Sequence, residues 1–150
     1  MGHGIAQVAA SGGFQVQIYE TDAKALQSGI QRIEASLGKI ADKAVEKGKK
    51  TREQADVDIA ETKQRLDSTL ELDALSDCDL VIEAIVENLD IKNRLFADLG
   101  RITKASAILA SNTSSFPISE MAEASGRPDR TIGLHFFNPV QLMRLIEVVR

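Results

Sequence analysis

Apolar positions change their period several times along the chain, and each change marks an element. Residues 3–13 are small and mostly apolar and stop at Gly12-Gly13, which predicts a helix ended by glycine. Residues 14–20 (FQVQIYE) alternate polar and apolar side chains with β-branched members, the pattern of a strand. Leu26, Ile30, Ile33, Leu37, Ile40 and Ala44 then recur at steps of three and four, one apolar stripe on a long amphipathic helix. Gly48 breaks that helix. Thr51, with Gln54 three residues later, has capping-box spacing and predicts a second, charged helix to about Leu66. Residues 22–66 thus form a helical hairpin inserted between strands. Its charges are mixed in sign and read as a solvated face.

Strand and helix patterns alternate again after the hairpin. Residues 79–86 (DLVIEAIV) are nearly all apolar, as in a strand buried on both faces. Ile91, Leu95, Leu99 and Ile102 have helical spacing within 88–104, residues 107–111 (AILAS) read as a further strand, and 117–124 as a short helix opened by proline. Residues 131–136 and 145–149 are two more strands. The alternation predicts an α/β fold with a parallel, doubly wound sheet. No strand precedes the first helix, and Glu20 closes the first visible strand. In a dinucleotide-binding βαβ unit such a helix follows strand one and a G-x-G-x-x-G turn. Gly2 is the one glycine that could belong to that turn, and Glu20 lies 18 residues after it. A carboxylate there accepts hydrogen bonds from ribose hydroxyls and repels a 2′-phosphate. No Arg lies within ten residues of it, so NAD is favoured over NADP. The plainer alternative is a packing glycine and a solvated carboxylate.

Composition narrows the classes. The chain has 150 residues, 43% hydrophobic and 27% charged, with room for one ordinary globular domain. Eighteen basic against 22 acidic side chains give a net charge of −4, which disfavours binding along nucleic-acid phosphates. The one cysteine, Cys78, excludes an intrachain disulfide, and no Cys/His spacing suits a metal. The apolar runs are too short for a bilayer span, and the first residues lack the features of a secretory signal. A cytoplasmic domain without membrane or nucleic-acid partners is expected.

Three later segments are more specific: Glu83-Ala-Ile-Val-Glu87-Asn88, then Ser111-Asn112-Thr113-Ser114-Ser115, then Gly133-Leu-His135-Phe-Phe-Asn138-Pro139-Val140 with Leu145-Ile-Glu147-Val-Val149. In this order and spacing they resemble the NAD-binding domain of the L-3-hydroxyacyl-CoA dehydrogenases, the 3-hydroxybutyryl-CoA enzymes among them. The match runs over essentially all 150 residues, hairpin included. The sequence departs from the family pattern at its front, where Met1-Gly2 stands in place of a strand and glycine-rich turn. The resemblance therefore implies a truncated NAD-binding domain, with a C-terminal helical domain, the seat of a homodimer, expected beyond residue 150. On that reading residues 1–150 alone bind NAD poorly, turn nothing over and associate through open sheet edges.

Oxidising a secondary alcohol needs a base for the hydroxyl proton while hydride leaves for the nicotinamide. Histidine suits the role, with an unperturbed pKa of roughly 6.5. His135 sits at a strand's C-terminal edge, and a strand returning after Pro139 could bring Glu147 to the far ring nitrogen, as in catalytic triads. The resemblance makes these two the catalytic pair; a core histidine and a surface glutamate are the plainer alternative. It also implies that Ser114 and Asn138 lie near the substrate hydroxyl and the nicotinamide, and that Glu87 and Lys92 contact cofactor. Ser36 and Lys43, two helical turns apart, would contact the CoA part of an acyl-CoA substrate. Asn112 and Ser115 read better as strand-end caps, and Cys78 as a bystander. The implied activity is NAD-dependent oxidation of 3-hydroxyacyl-CoA in fatty-acid β-oxidation or butanoate metabolism. The alternatives are the dehydrogenase segment of a multifunctional β-oxidation protein, a dehydrogenase of small hydroxy acids, and a non-catalytic nucleotide-binding relative.

Overall fold

The computed structural model describes residues 1–150. Its elements are α1 (Gly2–Ser11), β1 (Val16–Tyr19), α2 (Ala23–Glu46), α3 (Arg52–Gln64), β2 (Leu66–Thr69), β3 (Leu80–Glu83), α4 (Leu89–Ile102), β4 (Ile108–Ser111), α5 (Ile118–Ser125), β5 (Thr131–Phe136) and β6 (Ile146–Val149). Single 3-10 turns occupy Leu72–Leu75 and Pro128–Arg130. The chain divides into two compact units, Met1 with His3–Glu71 and Gly2 with Leu72–Arg150.

In the first unit the helical hairpin forms as its sequence dictates. The Asp22 carboxylate accepts the Ala25 N–H at 2.7 Å and caps α2. Thr51 and Gln54 make the reciprocal capping box that opens α3, at 3.2 and 3.0 Å. Ala6, Ile33 and Leu37 form a buried cluster on which Val16, Ile18, Ile59 and Leu66 pack. The apolar stripe of α2 buries less than its pattern suggests: Ile33, Leu37 and Ala41 are inside, but Ile40 is 48% exposed. Strand β2 was not expected. Its sequence LDST buries no residue fully, so it carries no alternation, and the helical pattern runs up to its first residue. It pairs in parallel with β1, from Val16↔Leu66 to Tyr19↔Thr69.

The second unit holds a four-stranded sheet of order β3-β4-β5-β6. The β3–β4 and β4–β5 pairs are parallel, whereas β6 runs antiparallel to β5. The strands form two hydrogen-bonded sheets, with β1 and β3 each bonded on one side only, in keeping with the open sheet edges expected; the antiparallel β6 is the one departure from a parallel sheet. Strand β3 is also not buried on both faces. Leu80 is exposed while Val81 and Glu83 are buried, the alternation of a half-covered edge strand.

Helix α4 is rotated by about one residue from its expected orientation. Its buried face is Lys92, Phe96 and Leu99, with Ile91 left 45% exposed. Its C-terminal carbonyls are closed by Arg127, whose guanidinium donates to Thr103 O at 2.6 Å, Lys104 O at 2.8 Å and Gly100 O. Arg127 is brought there by Gly126, the left-handed C-cap of α5 (φ 68°). Burial, with the Asp79 carboxylate second, pushes the Cys78 thiol above its usual pKa, so it is a poor nucleophile. No helix is long and apolar enough to cross a membrane.

Gly100 is where α4 meets α5. A β-carbon added there would stand 1.9 Å from the Ser125 carbonyl oxygen, so the helix backbones can pack this closely only at glycine. Gly100→Ala is expected to cost about 1–3 kcal/mol by forcing the helices apart, read as a lower urea midpoint. An unchanged midpoint would show that this packing is not set by the glycine.

Candidate active site

Strand register brings His135 and Glu147 together. In the antiparallel β5–β6 pair they are direct partners, between Phe136↔Ile146 and Leu134↔Val148. Directly opposed residues project to the same face with β-carbons about 4.5–5.5 Å apart. The Glu147 Oε2 stands 3.6 Å from His135 Nδ1, an ion-pair distance longer than a hydrogen bond. Such contacts commonly tighten when substrate binds. The imidazole is 21% exposed and the carboxylate 59%, so one ring nitrogen faces the acid while the group stays reachable. Phe137 leans against the imidazole with ring centres 4.7 Å apart and planes at 51°. The other histidine, His3, lies in α1 and makes no ion pair. Burial first, then the N-terminal ammonium and Arg32, lowers its pKa below the ordinary value. His135 alone has the acid partner that a base needs.

A second arrangement lies at the C-terminal ends of β3 and β4. Glu83 and Lys92 are an ion pair at 2.7 Å, with side chains 0% and 1% exposed. Glu83 Oε1 also accepts the Ile85 N–H at 2.7 Å, and its Oε2 accepts the Ser111 hydroxyl at 2.6 Å. The Ser111 oxygen in turn accepts the Thr113 N–H at 3.2 Å. Thr113 donates its hydroxyl to Glu87 Oε2 at 2.9 Å and accepts the Ser115 and Phe116 N–H groups. Glu87 closes the circuit, its Oε1 3.6 Å from the Lys92 ammonium. The network shapes the turn that carries exposed Ser114, and it holds the half-exposed carboxylate of Glu87 at the surface.

Lys92, expected to contact cofactor, lies inside the unit, with its side chain 1% exposed. Its ammonium neutralises Glu83 and also faces the half-exposed carboxylate of Glu87. Glu83 and Thr113 were missed as structural centres. The available signal was a charge of each sign at core positions: an acid inside an apolar strand, and a lysine at i with Phe96 at i+4 and Leu99 at i+7.

The remaining residues fall into place separately. Asn138 is exposed just past β5, joined to Pro139 by a cis peptide bond. Gly2 is the exposed first residue of α1. In the first unit, Glu20 follows β1, and its Oε1 accepts the Thr21 N–H at 2.7 Å and the Asp22 N–H at 3.4 Å. Glu20 makes no ion pair, and its Oε2 takes none of these bonds. That leaves an acceptor suited to ribose hydroxyls, and the chemistry fits a dinucleotide without a 2′-phosphate. Ser36 is half-buried and Lys43 exposed on α2. No group of His, Cys, Asp and Glu is arranged to hold a metal ion.

Comparison with known proteins identifies what this arrangement resembles. The family model described as 3-hydroxyacyl-CoA dehydrogenase, NAD binding domain, matches residues 1–150. The "Probable 3-hydroxybutyryl-CoA dehydrogenase" of Deinococcus radiodurans is 53% identical over the whole chain, which covers 51% of that protein. The mitochondrial hydroxyacyl-coenzyme A dehydrogenase of Rattus norvegicus is 43% identical, with 47% of its length covered. Among solved structures, FadB2 of M. tuberculosis superposes with a TM-score of 0.87 at 42% identity, over 99% of this chain and 50% of that one. The chain spans about half the length of the curated relatives it matches.

Lys92→Met leaves Glu83 buried without its counter-charge, and a loss of about 3–5 kcal/mol in unfolding free energy is expected. Adding Glu83→Leu removes the stranded charge and should recover much of that loss. Urea unfolding of the three proteins checks this. A single variant as stable as the wild type would show that the pair is not needed to neutralise Glu83.

Proposed function

The chain belongs to the NAD-binding domain family of the 3-hydroxyacyl-CoA dehydrogenases, and we propose that it forms the cofactor half of an enzyme oxidising 3-hydroxyacyl-CoA to 3-oxoacyl-CoA. The observation that carries the reading is the direct pairing of His135 with Glu147, with Nδ1 facing the carboxylate at 3.6 Å.

With Nδ1 turned to Glu147, the proton-accepting nitrogen is Nε2. His135 takes the hydroxyl proton of a secondary alcohol there, and Glu147 stabilises the imidazolium that forms. Bound NAD supplies the hydride acceptor. Ser114, exposed on the turn shaped by Thr113, and Asn138, exposed past β5, offer a hydroxyl and an amide to the substrate oxygen as its charge changes. Glu20 accepts from the adenosine ribose, and Glu87 offers a second acidic contact to the cofactor. Gly2, at the first turn of α1, allows close approach of the pyrophosphate. Ser36 and Lys43 on α2 meet the CoA moiety, the ammonium as a point charge for its phosphates.

The 3-hydroxybutyryl-CoA names of the relatives favour a short acyl chain. On this reading acyl-chain closure and subunit pairing fall to sequence outside residues 1–150, which is supported by the chain's covering about half of these relatives. The deciding experiment is NADH oxidation by the full-length protein with acetoacetyl-CoA, where no turnover would overturn the reading.

Two outcomes follow in that assay. His135→Gln is expected to lower kcat at least about a hundredfold, and Glu147→Gln to lower it as well. A His135→Gln variant with near-normal kcat would mean that another group takes the proton. With the Glu20 carboxylate at the ribose, kcat/KM for NADPH should fall at least about a hundredfold below that for NADH. Equal use of NADPH would remove Glu20 from this role.

A further inference from the structure

We propose that Asn112 is a positioning residue for His135, a role that rests on the reading of His135 as the base. Asn112 stands one residue beyond the end of β4, and the β4–β5 ladder closes at Ser111↔Gly133. Past that pair the main chain of β4 no longer serves β5, and the Asn112 side chain takes over. Its Oδ1 accepts the Phe136 N–H at 2.8 Å. Its own N–H donates to the Glu83 carbonyl at 2.9 Å, so one residue ties the ends of β3, β4 and β5 together.

The bond falls on the peptide that leaves the histidine, since the Phe136 nitrogen is joined to the His135 carbonyl carbon. From the β4 side Asn112 therefore fixes the orientation of that peptide, while on the other side β6 presents Glu147. The contact from His135 to Glu147 is already 3.6 Å, so a small rotation of the strand end would separate base and acid. Displacements of about 1 Å can cost on the order of a hundredfold in rate. The requirement is for an acceptor at this point. Aspartate offers one with nearly the same shape, and alanine offers none.

The full-length protein should be assayed with acetoacetyl-CoA and NADH as wild type, Asn112→Ala, Asn112→Asp, Glu147→Gln and the Asn112→Ala/Glu147→Gln double variant. Asn112→Ala is expected to lower kcat about tenfold with KM for NADH within about twofold, and Asn112→Asp to stay within about threefold of wild-type kcat. Because both single changes loosen the same pair, Glu147→Gln should cost less in the Asn112→Ala background than in the wild type, by at least about threefold. Amide exchange at Phe136 should be about tenfold faster in Asn112→Ala and unchanged in Asn112→Asp. Fully additive losses, an Asn112→Ala variant with wild-type kcat, or an Asn112→Asp variant as impaired as Asn112→Ala would each overturn the proposal. A wild type without turnover would overturn the functional reading instead. The exchange arm then decides, because unaltered protection of Phe136 in Asn112→Ala refutes the clamp and lost protection supports it.

Discussion

An ammonium and a carboxylate buried together constrain the second unit more than any other contact. Stripping the solvent from either charge alone costs several kcal/mol, so Lys92 and Glu83 must stay paired and their remaining hydrogen-bonding capacity must be met. Two polar donors, the Ile85 N–H and the Ser111 hydroxyl, complete the shell of Glu83. Both donors lie at the C-terminal ends of parallel strands, where open α/β sheets bind their ligands. Satisfying one buried carboxylate therefore dictates how β3 and β4 end. The same requirement passes through Ser111 and Thr113 to the turn carrying Ser114, and through Lys92 to Glu87. A hydrophobic pair of equal volume could hold the helix on the sheet as firmly, but it would leave those strand ends without a fixed form.

The pairing of His135 with Glu147 arises from a different constraint, the antiparallel return of β6. Parallel strands need long crossovers, whereas the nine residues between β5 and β6 let the chain turn back and place Glu147 opposite His135. A shift of one residue in that register would send Glu147 to the other face of the sheet. Gly133, near the start of this pairing, sits in a tight place: an added β-carbon would lie 3.0 Å from Val149 and 3.1 Å from Ile118, so those side chains would have to give way. The small residue lets β6 approach, and the Asn112 side chain closes β5 from the opposite edge.

Signals that live within one element were legible in the sequence. The Thr51–Gln54 box, the two long helices of the hairpin and the strand that carries Glu147 all follow from local spacing, and all are present. Features decided by the surroundings of an element were not. The LDST segment has no pattern of its own and becomes a strand because β1 lies beside it. On α4, Ile91 and Leu95 outweigh Lys92 in any apolar count, yet Lys92 is the one buried, because an unpaired carboxylate waits beneath it on β3. The same logic hid Glu83, an acid inside an apolar run. The type of Asn112 and its place after a strand suit a strand-end cap; that the capped strand is the one holding His135 depends on sheet order, a long-range fact.

The buried pair and the strand ends it organises, out to the peptide beside His135, should behave as one unit. Native-state amide hydrogen exchange on the full-length protein tests this most directly, at the N–H groups of Ile85, Asn112, Thr113 and Phe136. All four are expected to open together, with a common opening free energy and a common dependence on denaturant. Phe136 exchanging on its own through small local fluctuations, while Ile85 and Thr113 stay protected, would contradict it.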